Sequence, residues 1–202
     1  MAFAVDEFRA NLALDGARPN LFQVRLALPN LPGVNDQNML SFMCNAAQLP
    51  GSDIGVITQY YFGREVKIAG NRTYADWTVT VINDEDFAVR NAMEAWHQAI
   101  NEPINNLRDT NAISNAPASL GGGYGAQAFV DQYAKTGEVV KTYEFTGMWP
   151  TSISPIELNW GTNDQLEEFT VTFAYQYWKS SGVIGEQNSA PIPGAPPAPI
   201  AV

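Results

Sequence analysis

Between Leu166 and Trp178 the chain alternates almost without a break. Phe169, Val171, Phe173, Tyr175 and Tyr177 fall on one side of a period-two pattern, and Thr170, Thr172, Ala174 and Gln176 fall on the other. Successive side chains of an extended strand point to opposite faces, so this stretch has one face to bury and one to hydrate. At about 3.3 Å per residue it would extend on the order of 40 Å, longer than most strands of a small sandwich. Its polar face is small and neutral, without the lysines or internal prolines that guard an edge against pairing. Two outcomes follow: the strand projects and pairs with another subunit, or it is covered within its own domain.

Three further segments carry the same signature. Phe22, Val24, Leu26 and Leu28 share a face in Leu21 to Leu28, and Trp77, Val79 and Val81 oppose Asp76, Thr78 and Thr80 in Tyr74 to Ile82. In Val139 to Gly147, Tyr143 and Phe145 oppose Thr142, Glu144 and Thr146. Weaker strand signals lie at Val56 to Ile68, interrupted by Gly63, and at Ile153 to Trp160, where Pro155 suggests an edge or bulge position. One amphipathic helix is predicted over about 84–101, with Val89, Met93, Trp96 and Ile100 in a single stripe, Asn83 as N-cap and Pro103 as stop. A short helix is predicted from Val5 to Leu12, and a long Asn/Ala/Ser/Gly-rich loop over about 105–125. Strands gathered around one helix predict a mainly β fold, a two-sheet sandwich or barrel with one flanking α-helix.

The 202 residues, 46% apolar, suffice for a single domain with its own core. That domain is expected over 1–188, with an N-terminal arm or short helix in 1–19 and a β core in 20–178. The segment Ser189 to Val202, SAPIPGAPPAPIAV, is a Pro-rich tail that favours an extended, polyproline-like path and adds little to a core. It either moves freely or docks on a neighbouring subunit.

Catalytic chemistry is hard to assemble from what is present. His97 is the lone histidine and sits within the predicted helix; Cys44 is the lone cysteine, which excludes an internal disulfide and reads as a small core residue. The Gly121 to Ala128 stretch matches G-x-G-x-x-A only loosely and follows a loop instead of a strand, so it does not suggest a phosphate site. Asp84, Glu85 and Asp86 suit a helix start and lack the spacing of a calcium loop. No catalytic residue, cofactor or metal is therefore expected. With 11 basic residues against 21 acidic ones, net charge −10, phosphate-gripping nucleic-acid binding is disfavoured. No apolar run reaches the ~20 residues of a membrane span, and no membrane anchor is expected.

Several motifs together, in order, resemble the tail tube proteins of T-even-like, contractile-tailed phages. They are Gly16-Ala17-Arg18-Pro19-Asn20-Leu21-Phe22; Cys44 to Gly51; Tyr61-Phe62-Gly63-Arg64 followed by Gly70-Asn71-Arg72-Thr73-Tyr74; Trp77 to Val81 with Asn83-Asp84; the helix with Arg90, Glu94 and Trp96; Tyr143-Glu144-Phe145 before Gly147-Met148-Trp149-Pro150; and Glu167 to Phe173 with Tyr175, Tyr177 and Trp178. The resemblance runs from about residue 8 to 178. It implies a non-enzymatic subunit that stacks as hexameric rings into a hollow conduit, with sheets of neighbours closing into a continuous inner β-barrel. The implied partners are further copies of the chain and the tail sheath, baseplate and tail terminator proteins, with DNA passing through the lumen without specific binding. The implied place is the virion, assembled in the host cytoplasm. Candidate interface residues are Phe8, Arg18, Tyr60, Tyr61, Phe62 and Arg64; candidate lumen residues are Thr78, Thr80, Thr142, Glu144, Thr170 and Thr172. Two alternatives stay open: a tube protein of a contractile injection or type VI secretion-like system, and a monomeric β-sandwich module binding a ligand through Trp77, Trp149, Trp160 and Trp178.

Overall fold

The computed structural model describes residues 16–29, 40–107 and 123–182. The alternating segments become strands: β1 (Phe22–Ala27), β2 (Cys44–Ala47), β3 (Asp53–Tyr61), β4 (Arg64–Thr73), β5 (Trp77–Ile82), β6 (Ala126–Tyr133), β7 (Val139–Ile153), β8 (Glu168–Ala174) and β9 (Tyr177–Gly182). A single turn of helix, α1 (Leu40–Met43), precedes β2, and the long helix α2 (Ala88–Ile100) follows β5. Among the described residues, seven strands pair antiparallel along the path β1-β6-β7-β8-β5-β2, with β9 also on β7, and β3 and β4 pair only with each other.

Strand β7 belongs to two layers. Its first half pairs with β6 and β9, and its second half, from Trp149 to Ile153, pairs with β8. The change falls at Gly147, where φ is 66° and the register against β6 skips a residue. A bulge with a left-handed glycine bends a strand sharply, and here it turns β7 from the β1-β6-β9 layer into the β2-β5-β8 layer. The layers close on each other through aromatic rings. Phe145 of the first lies 4.5 Å, centroid to centroid, from Trp77 of the second, and Trp77 stacks in turn beside Phe173. Val24, Val79, Val81, Val130, Phe145, Phe169, Val171 and Phe173 are essentially inaccessible, as the alternation requires.

Helix α2 fills the side of the sandwich with Val89, Ala92, Met93, Trp96 and Ala99. Trp96 reaches Phe173 and donates its indole N–H to the Tyr124 carbonyl at 2.8 Å, so the largest buried ring carries no orphan donor. Arg90 donates to the Ser154 carbonyl, and His97 Nε2 lies 3.2 Å from that of Pro150, which ties the helix to the second half of β7.

Several expectations need correction. Leu166 to Trp178 is not one strand: the pattern breaks at Tyr175 and Gln176, opposite the β7 bend, and Gln176 N–H bonds the Thr146 carbonyl instead. Tyr177 then points outward while Trp178 packs on Tyr143, so the parity resets and nothing projects. Asn83 does not cap the helix. Its amide is committed to Glu167, and Asp84 Oδ1 accepts the Ala88 N–H, so α2 starts four residues later than expected. Ile153 to Trp160 is not a strand beyond Ile153; Val139 to Gly147 instead continues through Pro150 to that point. The expected Val5 to Leu12 helix and the Pro-rich segment lie outside the described residues, as does most of the 105–125 loop.

Candidate assembly surface

The loosely matched glycine stretch runs into β6, a strand, and so lacks the helix start that would receive a phosphate. Cys44 is partly buried against the core, with Sγ 3.5 Å from the Ala46 carbonyl; burial pushes its thiol up to about 11. Such a thiol is largely protonated and poorly nucleophilic at neutral pH. Among the described residues no group of three or more His, Cys, Asp or Glu is placed to hold a metal ion, and no helix is long and apolar enough to cross a membrane.

What the surface does carry is a hairpin with no other strand beside it among the described residues. β3 and β4 are joined by Phe62 and Gly63, with φ of 48° and 78°, the two positive values that a two-residue hairpin turn requires. Every residue of β3 is exposed, and all of β4 except Gly70. One face presents Ile57, Tyr61, Val66 and Ile68, the other Val56 and Tyr60, and Phe62 at the tip is 92% accessible. A two-stranded ribbon with both faces in water is marginal by itself, and contiguous apolar surface of this kind marks an interaction site.

Its root, by contrast, is fixed. The strands of the hairpin continue those of the second layer, β2 into β3 and β4 into β5. The Trp77 indole donates to the Gln48 carbonyl at 2.6 Å and the Trp178 indole to that of Gly51 at 3.1 Å, clamping the approach to β3 from two layers at once. Neither bond is legible in the alternation, which places the Trp77 ring on the face to be buried and assigns the Trp178 ring to neither face.

Of the candidate interface residues, Tyr60, Tyr61, Phe62 and Arg64 gather at the hairpin tip, with Tyr61 edge-on to Phe62 at 4.6 Å. Arg18 is exposed in the turn before β1, and Phe8 lies outside the described residues. The six candidate lumen residues divide into two sets. Thr78 pairs with Thr172 and Thr80 with Thr170 across β5 and β8, forming an uncharged patch on the outer face of the second layer. Thr142 and Glu144 lie on the outer face of the first layer, where Thr142 donates to Asp131 Oδ1 and Asp131 also receives Arg25 at 2.6 Å. That hydrogen bond holds the Arg25 guanidinium more firmly protonated than usual.

A two-layer β fold with one side helix and a rooted, solvent-facing apolar hairpin defines a subunit that carries an exposed interaction element. The same fold occurs in a chain of the anti-feeding prophage tube-terminating cap, 16% identical with a TM-score of 0.59 over 90% of this chain and 99% of that one. A chain of the anti-feeding prophage baseplate gives 0.56 at 13% identity, over 83% and 97%. The protein belongs to the phage tail tube protein family, which matches residues 17–181. It is 35% identical over 178 residues to the tail tube protein gp19 of Enterobacteria phage T4, covering 88% of this chain and 99% of the relative. The tail tube protein of Serratia phage KSP90 is 25% identical over 174 residues, 85% and 93% of the two chains.

Proposed function

We infer that this chain is the structural subunit of a phage tail tube, stacking as hexameric rings into a hollow conduit that crosses the host envelope. The observation that carries the reading beyond family membership is the β3–β4 hairpin. Its apolar faces need a cover, its root is clamped, and a neighbouring copy supplies the cover in a stack. The second layer, from which the hairpin springs, faces the lumen and joins its counterparts into the inner barrel. Thr78, Thr80, Thr170 and Thr172 then line the path of DNA with hydroxyls and no cation, so phosphates find little to grip. Sheath, baseplate and terminator proteins are the partners at the outer surface and the two ends, and the subunit performs no catalysis. Assembly in the host cytoplasm and residence in the virion follow from that role.

The test is negative-stain electron microscopy with light scattering on the purified protein across a concentration series. Rings or hollow tubes are the expected outcome, with hairpin variants remaining as single subunits. Tubes that form equally well without the hairpin's apolar side chains would remove the basis of the proposal.

A further inference from the structure

Residues 154–167, between β7 and β8, enclose a groove of about 700 Å³ that the tube reading leaves unused. Pro155, Ile156, Leu158, Trp160, Gln165 and Leu166 line it. Leu158 is 79% and Leu166 74% accessible, and the Trp160 ring stands fully in solvent. A tight turn presents that ring: Thr162 N–H bonds the Asn159 carbonyl at 3.2 Å, and Gly161 N–H bonds Asn159 Oδ1 at 2.9 Å. Among the described residues, no group accepts the Trp160 indole N–H. The site thus offers an exposed aromatic ring on a hydrogen-bonded turn, apolar walls and a spare donor, which is the chemistry that captures a polyproline helix, whose own carbonyls have no internal partner.

The chain carries such a ligand. Beyond β9 and the family match at 181, residues 183–202 continue into Pro193-Gly194-Ala195-Pro196-Pro197-Ala198-Pro199. Pro193, Pro196 and Pro199 recur every third residue, so a polyproline helix of three residues per turn puts them along one edge. Residues 189–202 bear no charged side chain, which suits a groove rimmed by Glu157, Glu167 and Glu168. Length permits the contact. Gly182 pairs with Lys141, thirteen residues before Ser154 on β7, roughly 40 Å at most. Pro193 to Pro199 stand eleven to seventeen residues past Gly182, which a polyproline path spans over roughly 34–53 Å.

The geometry points to this groove as the docking site of Pro193 to Pro199, within the Pro-rich segment 189–202, of the same subunit. The segment lies outside the family match, so the contact is an addition to the tube fold and independent of whether tubes form.

Acrylamide quenching of Trp160, taken as the difference between the wild-type chain and Trp160→Phe, tests it on single subunits and on any assembled particles. Trp77 and Trp96 are buried, so the exposed ring dominates the quenchable signal. Ending the chain at Asn188 is expected to roughly double that quenching, and a synthetic peptide of residues 187–202 to reverse it, with no reversal in a Leu158→Ser/Leu166→Ser chain. Shielding in dilute single subunits is the expected result; shielding only in particles overturns the proposal, because the segment would then come from a neighbour. Equal quenching with and without residues 189–202 in both states overturns the proposal. So does shielding in particles that survives truncation, because another surface then covers the groove. Loss of tubes alone would count against the assembly reading and leave this one standing.

Discussion

Strand pairs β5–β8 and β3–β4 are built from similar residues and come to opposite ends. Both are antiparallel, and both mix β-branched and aromatic side chains with threonine or charge. In β5–β8 the apolar set is sealed: Trp77, Val79, Val81, Phe169, Val171 and Phe173 are each at most 2% accessible. In β3–β4 the corresponding set, from Val56 to Ile68, is 45–69% accessible. Apolar content therefore does not decide burial. What decides it is whether another layer of the same chain lies opposite, and opposite the hairpin there is none among the described residues. One pair stabilises the subunit, and the other leaves apolar surface in water.

That contrast can be broken from either side. Phe173→Ala, which empties a fully buried ring site beside Trp77 and Trp96, should lower subunit stability by about 3–5 kcal/mol in thermal or denaturant unfolding. Ile68→Glu should leave that stability within about 0.5 kcal/mol of wild type, since the site is in water. The same change should abolish tubes in electron microscopy, because an unpaired charge at a contact costs about 2 kcal/mol or more per interface. If Ile68→Glu instead lowered subunit stability as Phe173→Ala does, the hairpin would be part of the core after all.

Smaller effects sharpen the comparison. Gly63→Ala forces a side chain to φ 78° and should disfavour the turn by about 1–2 kcal/mol. Subunit unfolding should hardly register it, while the concentration needed for assembly should rise by about tenfold. Cys44 supplies the least effect. Its thiol sits at about 11 against an ordinary 9.0, so the folded chain keeps the proton where the unfolded chain loses it. The resulting stabilisation is complete below pH 9.0 and lost as pH rises through about 11. Alkylation of the native chain should therefore accelerate near pH 11, and only unfolded chain should titrate near 9.0.

Local periodicity carried much of the core. Trp77, Val79 and Val81 are buried as their alternation demands, and the α2 stripe differs in that Ala92 and Ala99 are buried as well while Ile100 is half-buried. Period and propensity could not show where a strand changes layer. Tyr175 and Tyr177 keep the aromatic alternation across a bend that arises from pairing with β7, which is non-local. β6 escaped notice because Ala126, Gln127 and Ala128 have little strand character and its neighbours impose the extended form. The tyrosines of the hairpin tip could be singled out, but their exposure depends on what lies opposite. The Ile153 to Trp160 stretch carries a weak strand signal, but the turn at Trp160 rests on Asn159, whose side chain bonds its own backbone neighbourhood.

The corner at Gly147 has a mechanical consequence. Covalent chain runs through it twice in opposite senses, once in β7 and once through Tyr175 and Gln176 between β8 and β9. A load that tries to slide one layer over the other must stretch or bend these two backbones, not merely shear side chains past one another. The subunit therefore behaves as a folded strip with a reinforced crease: it resists shear between its layers, and under overload it yields as a whole.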